Sequence, residues 1–139
     1  MQLINNTIFK VLIVTLLFTY ATISKAEHIF SYPVTINRVI DGDTFEVEIN
    51  LGFNLKKFTI LRLKGYDAPE TTWRAKSDKE LELGFEAKRF VEKRSKAPWV
   101  LYVSGKYKDS FGRILGNLCL PDNQCLSDEL IEAGYIKHK

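Results

Sequence analysis

Histidine and cysteine are scarce in this chain of 139 residues, with two of each. His28 and His138 stand at the two ends of the segment 27–139. A metal centre built from Cys and His is therefore a poor reading of these four residues. The cysteines flank Leu120-Pro121-Asp122-Asn123-Gln124, and Pro-Asp-Asn is turn chemistry that can bring them together. In an exported chain the pair favours a disulfide; two free thiols are the rival reading.

A strong net charge is also missing. Twenty Lys and Arg stand against seventeen Asp and Glu, a formal charge of +3. Charge alone therefore does not announce a nucleic-acid binder. Its distribution says more. From Lys88 to Arg113 there are eight basic residues (Lys88, Arg89, Lys93, Arg94, Lys96, Lys106, Lys108, Arg113) against Glu92 and Asp109. That segment is a candidate polyanion footprint, although a solvated helix face and loop lysines explain most of it equally well. The length of 139 residues suggests one domain, and the sequence shows no internal repeat or low-complexity stretch.

The chain lacks an apolar run long enough for a comfortable membrane span of about 20 residues. The run Val11–Phe18 follows Lys10 and leads to Ser24-Lys25-Ala26. A basic start, a short apolar centre and small residues before the junction describe a secretory signal peptide over 1–26, cleaved after Ala26. The alternative is an uncleaved anchor. Cleavage removes two lysines and no acid, leaving 18 basic and 17 acidic residues in a domain spanning 27–139. The expectation is an exported protein, secreted or periplasmic, with no stable membrane association after processing.

Within that domain the pattern alternates in short stretches. Val34–Ile40 reads as a strand, Asp41-Gly42 as a turn, and Thr44–Ile49 as a half-buried strand. After a break at 52–54 a third strand runs from about Lys57 to Leu63. Residues 71–77 read as loop. Ser77 followed by Glu80 predicts a helix start with a capping box, and Leu83, Ala87, Phe90 and Val91 share its apolar face. The helix stops near Ser95, before Pro98. Trp99–Val103 and Arg113–Leu118 are the fourth and fifth strands. A short last helix follows, capped by Ser127, with Leu126 and Ile131 as a hydrophobic staple and Gly134 at its end. Five strands, one helix between the third and fourth and a short final helix give an α+β, mainly β fold. A five-stranded OB-fold barrel has this count, and a small sandwich would read similarly.

Three carboxylates and an arginine fall at the ends of these strands, where a rigid scaffold presents chemistry. Asp43 and Asp67 offer the hard oxygens that suit Ca²⁺ or Mg²⁺. Glu70 stands three residues beyond Asp67, across Pro69, and suits a general base acting on water. Arg62 suits a two-pronged contact to a phosphate. Each piece alone is also ordinary turn or loop chemistry. Asp43 shares strand parity with Phe45, Val47 and Ile49, so its carboxylate faces the apolar side and needs a cation or several donors.

The chain resembles the staphylococcal nuclease (thermonuclease) family. The matching residues are Val39–Thr44, Arg62-Leu63 with Asp67-Ala68-Pro69-Glu70, Gly84-Phe85-Glu86-Ala87, Asp109-Ser110-Phe111-Gly112-Arg113 and Leu130–Gly134, in order across roughly 34–137. The resemblance implies an OB-fold and a Ca²⁺-dependent phosphodiesterase acting on DNA and RNA, releasing the 5′-oxygen and leaving 3′-phosphate ends. It implies Asp43, Asp67 and the backbone carbonyl of Ala68 as calcium ligands, with Asp41 as an outer-shell partner. It implies Glu70 as the general base, and Arg62 and Arg113 as the phosphate clamp.

Two departures bear on substrate binding. Phe111 stands where the family often has a substrate-facing tyrosine. The sequence given also stops soon after the short helix, before the place of a long C-terminal helix and a second tyrosine. The alternative function is a non-catalytic nucleic-acid-binding module on the same barrel, and a third is a calcium-stabilised secreted domain. A binding module has no use for Asp43, Asp67, Glu70, Arg62 and Arg113 together. The expected assembly is a monomer acting on DNA or RNA.

Overall fold

A computed structural model describes residues 29–137. The expected signal peptide and its cleavage point lie outside the described residues. Five strands, β1 (Ile29–Asp41), β2 (Thr44–Gly52), β3 (Leu55–Leu63), β4 (Val100–Ser104) and β5 (Ile114–Cys119), close into a barrel in the order β1-β2-β3-β5-β4. Helix α1 (Asp78–Arg94) lies between β3 and β4, and α2 (Leu126–Glu132) follows β5. The five-stranded barrel with two helices is the expected fold class.

All ladders are antiparallel except β3 with β5, which pair in parallel. β1 is longer than the alternation in 34–40 indicates. Its first half, Ile29–Pro33, pairs with β4, and its second half pairs with β2. That split closes the barrel. The interior is filled by Ile36, Phe45, Val47, Leu61, Leu63, Leu101 and Leu118 from the strands. Ala87 and Val91 from α1 and Leu126 and Leu130 from α2 seal its ends.

Helix α1 starts as its capping chemistry dictates. The Ser77 hydroxyl accepts from the Glu80 N–H at 3.1 Å, and the Glu80 carboxylate accepts from the Lys76 N–H at 2.7 Å. Helix α2 begins earlier than expected. Its N-cap is Cys125, which makes no side-chain cap bond, and Ser127 lies inside the helix. The cause is a covalent bond: Cys119 and Cys125 form a disulfide, and the two residues also pair as an isolated bridge. The crosslink fixes where the chain leaves β5 and turns into α2.

Two glycines bring α1 against the loop that carries the candidate chemistry. A Cβ on Gly84 would stand 2.3 Å from the Glu70 carbonyl oxygen, and one on Gly42 would stand 2.9 Å from the Ala68 Cβ. Only glycine permits both approaches. The turn after β1, the 67–70 loop and α1 are thereby packed as one unit.

Candidate active site

The turn Asp41–Thr44 sits where β1 passes into β2. The Asp43 N–H donates to the Asp41 carboxylate at 3.2 Å, a local bond that aspartate turns favour. The Asp43 carbonyl accepts from the Leu63 N–H at 2.9 Å, which ties the turn to the end of β3. The Asp43 side chain then points inward, as its parity with Phe45 requires, and the residue is only 2% exposed.

A carboxylate so placed needs donors, and it has three. Oδ1 accepts from the Thr44 hydroxyl at 2.8 Å and from an Arg62 guanidinium nitrogen at 2.9 Å. Oδ2 accepts from the Ala68 N–H at 2.9 Å. These bonds do not fully offset the burial. Burial, with the adjacent Asp41 carboxylate, outweighs the Ala68 N–H and Arg62 and pushes the Asp43 carboxyl up to about 6.

Arg62 reaches Asp67 with its other terminal nitrogen, so one guanidinium bridges two carboxylates. Arginine carries five N–H donors, so this bridge leaves donors for a further anion. Asp67, Ala68, Pro69 and Glu70 follow on the loop after β3. Glu70 is met by a residue from the far end of the chain. The Lys137 ammonium lies 2.8 Å from its Oε1 and 3.8 Å from Asp67 Oδ2. The hydrogen bond to Glu70 raises the Lys137 pKa above the ordinary lysine value.

Arg113 arrives from the turn before β5. Asp109 organises that turn: its Oδ1 accepts from the backbone N–H groups of Phe111 and Arg113, both at 2.9 Å, and its Oδ2 accepts from Arg113 Nε at 2.6 Å. Desolvation pushes the Asp109 carboxyl up, but these bonds outweigh it and hold the carboxyl below its usual range. The Arg113 guanidinium also sits over the Phe111 ring, 5.3 Å from its centroid. Phe111 is 83% exposed, so the ring presents an open face beside the cleft.

All of the expected site residues line one open cleft of about 500 Å³: Asp41, Asp43, Arg62, Asp67, Ala68, Glu70 and Arg113. Two further residues were not legible as site residues. Arg74 lines the same cleft. Lys137 reaches Glu70 only because the chain after α2 folds back, with the Tyr66 hydroxyl donating to the Tyr135 carbonyl at 2.6 Å and Phe90 packed on Tyr135. No local signal marks Lys137, since the contact spans 67 residues. The basic segment 88–113 is not a single footprint. Of its eight cations only Arg113 lines the cleft, and Arg94 is spent on Glu129.

The donor set has the chemistry of a hard-cation site: Asp41, Asp43, Asp67 and Glu70 line one cleft together with Ala68, and the Asp43 carboxylate is buried at a cost. As they stand, no three Asp, Glu, His or Cys side chains among the described residues gather closely enough to hold an ion. The reason is visible in Arg62, whose guanidinium occupies oxygens of both Asp43 and Asp67. A cation and Arg62 thus draw on the same oxygens.

A family model described as staphylococcal nuclease homologue matches residues 60–139. That span holds Arg62, Asp67, Glu70 and Arg113; Asp41 and Asp43 precede it. The chain is 32% identical over 110 residues to endonuclease YhcR of Bacillus subtilis (strain 168), a match covering 75% of this chain and 9% of that protein. It is 31% identical over 118 residues to an uncharacterized endonuclease of Escherichia coli, covering 76% of this chain and 65% of the other. The chain spans less than two thirds of the length of either relative.

Proposed function

The chain belongs to the staphylococcal nuclease family, and from that premise we propose that it is an exported, calcium-dependent nuclease that hydrolyses phosphodiester bonds of DNA, RNA or both. The observation that carries this reading is the convergence of Asp43, Asp67, Glu70, Arg62 and Arg113 on one cleft. Both endonuclease relatives support it by name. The family resemblance supports 3′-phosphate products.

Attack of water on a phosphodiester builds negative charge on the non-bridging oxygens. Arg62 on β3 and Arg113 just before the adjacent β5 both line the cleft and supply planar donors for that charge. Phe111 and Asp109 hold Arg113 in place, so little reorganisation is needed when the charge develops. Glu70 accepts the proton of the attacking water. The new bond forms between water oxygen and phosphorus; the bond to the 5′-oxygen breaks, and that oxygen leaves with the electron pair and takes up a proton. Lys137 orients Glu70 through its ion pair. Asp43, Asp67 and the Ala68 carbonyl would hold Ca²⁺, with Asp41 behind them. When bound, the ion would add Lewis-acid stabilisation of the phosphate.

The test is incubation of the protein with single- and double-stranded DNA and RNA, in Ca²⁺ or in chelator. Cleavage in Ca²⁺ that stops in chelator is expected. Full cleavage in chelator overturns the calcium assignment. Binding without cleavage under any divalent metal gives the protein to the non-catalytic binding-module alternative.

A further inference from the structure

The hairpin joining β2 and β3 ends in a two-residue turn, Phe53-Asn54, with both residues in the left-handed region (φ 50° and 62°). Such turns match the twist of paired strands and normally take Asn, Asp or Gly. Asn54 obeys that rule. Phe53 does not: a bulky residue in this region is strained. Its side chain is 98% exposed, so no packing within the described residues offsets the strain. Leu51 and Leu55 flank it, also exposed.

Next to the tip lies an apolar mouth of about 420 Å³, rimmed by Phe30, Leu51 and Tyr107, with Lys57 and Lys108 at its edge. β1 begins here. Ile29 and Phe30 pair with Ser104 and Val103. An apolar tip of Leu51, Phe53 and Leu55, an aromatic rim and two lysines lie together.

We infer that this face docks reversibly on an anionic phospholipid bilayer. Phe53, Leu51 and Leu55 enter the interfacial layer, and Lys57 and Lys108 meet the headgroups. Charge complementarity selects the partner. Single-stranded nucleic acid also attracts lysines and stacks on rings such as Phe53, Phe30 and Tyr107, but it leaves Leu51 and Leu55 in water, whereas acyl chains cover rings and leucines alike. A second copy meeting the first through this face would set Lys57 and Lys108 against their own counterparts, and like charges in an interface are unfavourable. Among the described residues no helix is long and apolar enough to cross a membrane. One hairpin with a basic collar gives a weak, reversible contact rather than an anchor.

The strands also set the orientation. β2 runs nine residues from Thr44 at the cleft to Gly52 at the tip, roughly 25–30 Å at about 3.3 Å per residue. A docked molecule holds its cleft away from a surface that repels polyanions. This advantage rests on the nuclease reading, while the docking itself does not.

The test places an environment-sensitive fluorophore on Phe53→Cys in the full chain. A second protein carries it on Arg89→Cys, exposed on α1. The two native cysteines are bonded to each other, so each variant has one free thiol. With vesicles of phosphatidylglycerol and phosphatidylcholine bearing brominated acyl chains, the label at 53 should shift to the blue and be quenched, and the label at 89 should not. High salt, or Lys57→Glu with Lys108→Glu, should weaken partition. Leu55→Asp should reduce it about 10- to 100-fold, the worth of one large apolar side chain, while cleavage of DNA in free solution stays at the parent rate. An unquenched label at 53, or equal quenching at both positions, overturns the inference; attachment through residues 1–28 alone would give the first result. A response at 53 to oligonucleotide but not vesicles, or to protein concentration alone, also overturns it, in favour of a nucleic-acid face or a second copy.

Discussion

Asp43 in the turn before β2 and Phe45 on β2 stand two residues apart, and both are shut away from water. Phe45 packs into the barrel interior, where burial is the source of stability. Asp43 enters the same enclosure carrying an acid, and burial there works against its charge. Two residues of separation divide a region that holds the fold together from one that the fold must hold in place. The cleft residues are not spare surface groups: Asp43, Arg62 and Asp67 are bonded to one another, and Arg113 is bonded to Asp109. Their cost is offset by an apolar interior in which, among the described residues, no other acid is buried.

The comparison predicts that changes in the two regions separate cleanly into activity and stability. Glu70→Gln should show the largest effect. The amide keeps the side chain's size but takes no proton at neutral pH, so turnover should fall by about 10²–10⁴, the usual worth of a general base. Unfolding in urea should change by less than about 0.5 kcal/mol, because Glu70 contributes one partly exposed ion pair. A Glu70→Gln protein that cleaves at the parent rate would show that Glu70 is only a loop residue.

Phe45→Ala should do the reverse. Removing a fully buried ring leaves a cavity and costs about 3–5 kcal/mol. Urea titration should show a lower midpoint with an unchanged slope, and activity per folded molecule should remain near the parent value. A comparable loss of turnover at a temperature where the variant is folded would join the two regions that the comparison holds apart.

The disulfide offers a smaller test on the stabilising side. It closes a short loop between β5 and α2, and neither cysteine lines the cleft. Cys119→Ser with Cys125→Ser should cost about 2 kcal/mol, since a short loop restricts the unfolded chain only modestly. Turnover should be unaffected. Loss of Lys137's hold on Glu70 through a shifted α2 would instead appear as a lower turnover in the folded variant.

What the sequence made legible divides along the same line. β2, β3 and α1 follow local rules, alternation and a capping pair, and they appear where those rules place them. The inward turn of Asp43 also followed from parity. The first half of β1 was not legible, because its pairing with β4 joins residues some seventy positions apart. The disulfide was legible from the two cysteines and the turn between them, but its neighbour Leu126 as the first residue of α2, with Cys125 rather than Ser127 as N-cap, was not. Lys137 meets Glu70 through tertiary folding alone, whereas Arg74 lines the cleft from the loop that carries Glu70, four residues on. The Arg62 bridge lay between these cases: the fit of a guanidinium to a phosphate was read from the residue itself and again from the resemblance, and its grip on Asp43 and Asp67 came only from the structure.

The smallest effect bears most directly on the contrast between Asp43 and Phe45. Asp43→Asn should stabilise the protein in chelator at neutral pH, by about 1 kcal/mol. A carboxyl raised to about 6 from 3.8 corresponds to at most about 3 kcal/mol of unfavourable charge burial at high pH. The asparagine recovers only part of this, because it gives up the charged bond to Arg62. The sign fixes the pH window. The folded protein binds the Asp43 proton more tightly than the unfolded chain does. The cost is therefore absent below about 4, grows as pH rises through about 6, and is fully present above that. Asparagine has no charge to bury, so the two proteins should match near pH 4 and diverge toward pH 8, the variant being the more stable. Thermal unfolding at both pH values reads the difference directly. An Asp43→Asn protein less stable than the parent at pH 8 would mean that Thr44, Arg62 and Ala68 more than satisfy the carboxylate. In that case the cleft would be a second source of stability, and the division between the two regions would fail at the one residue where they meet.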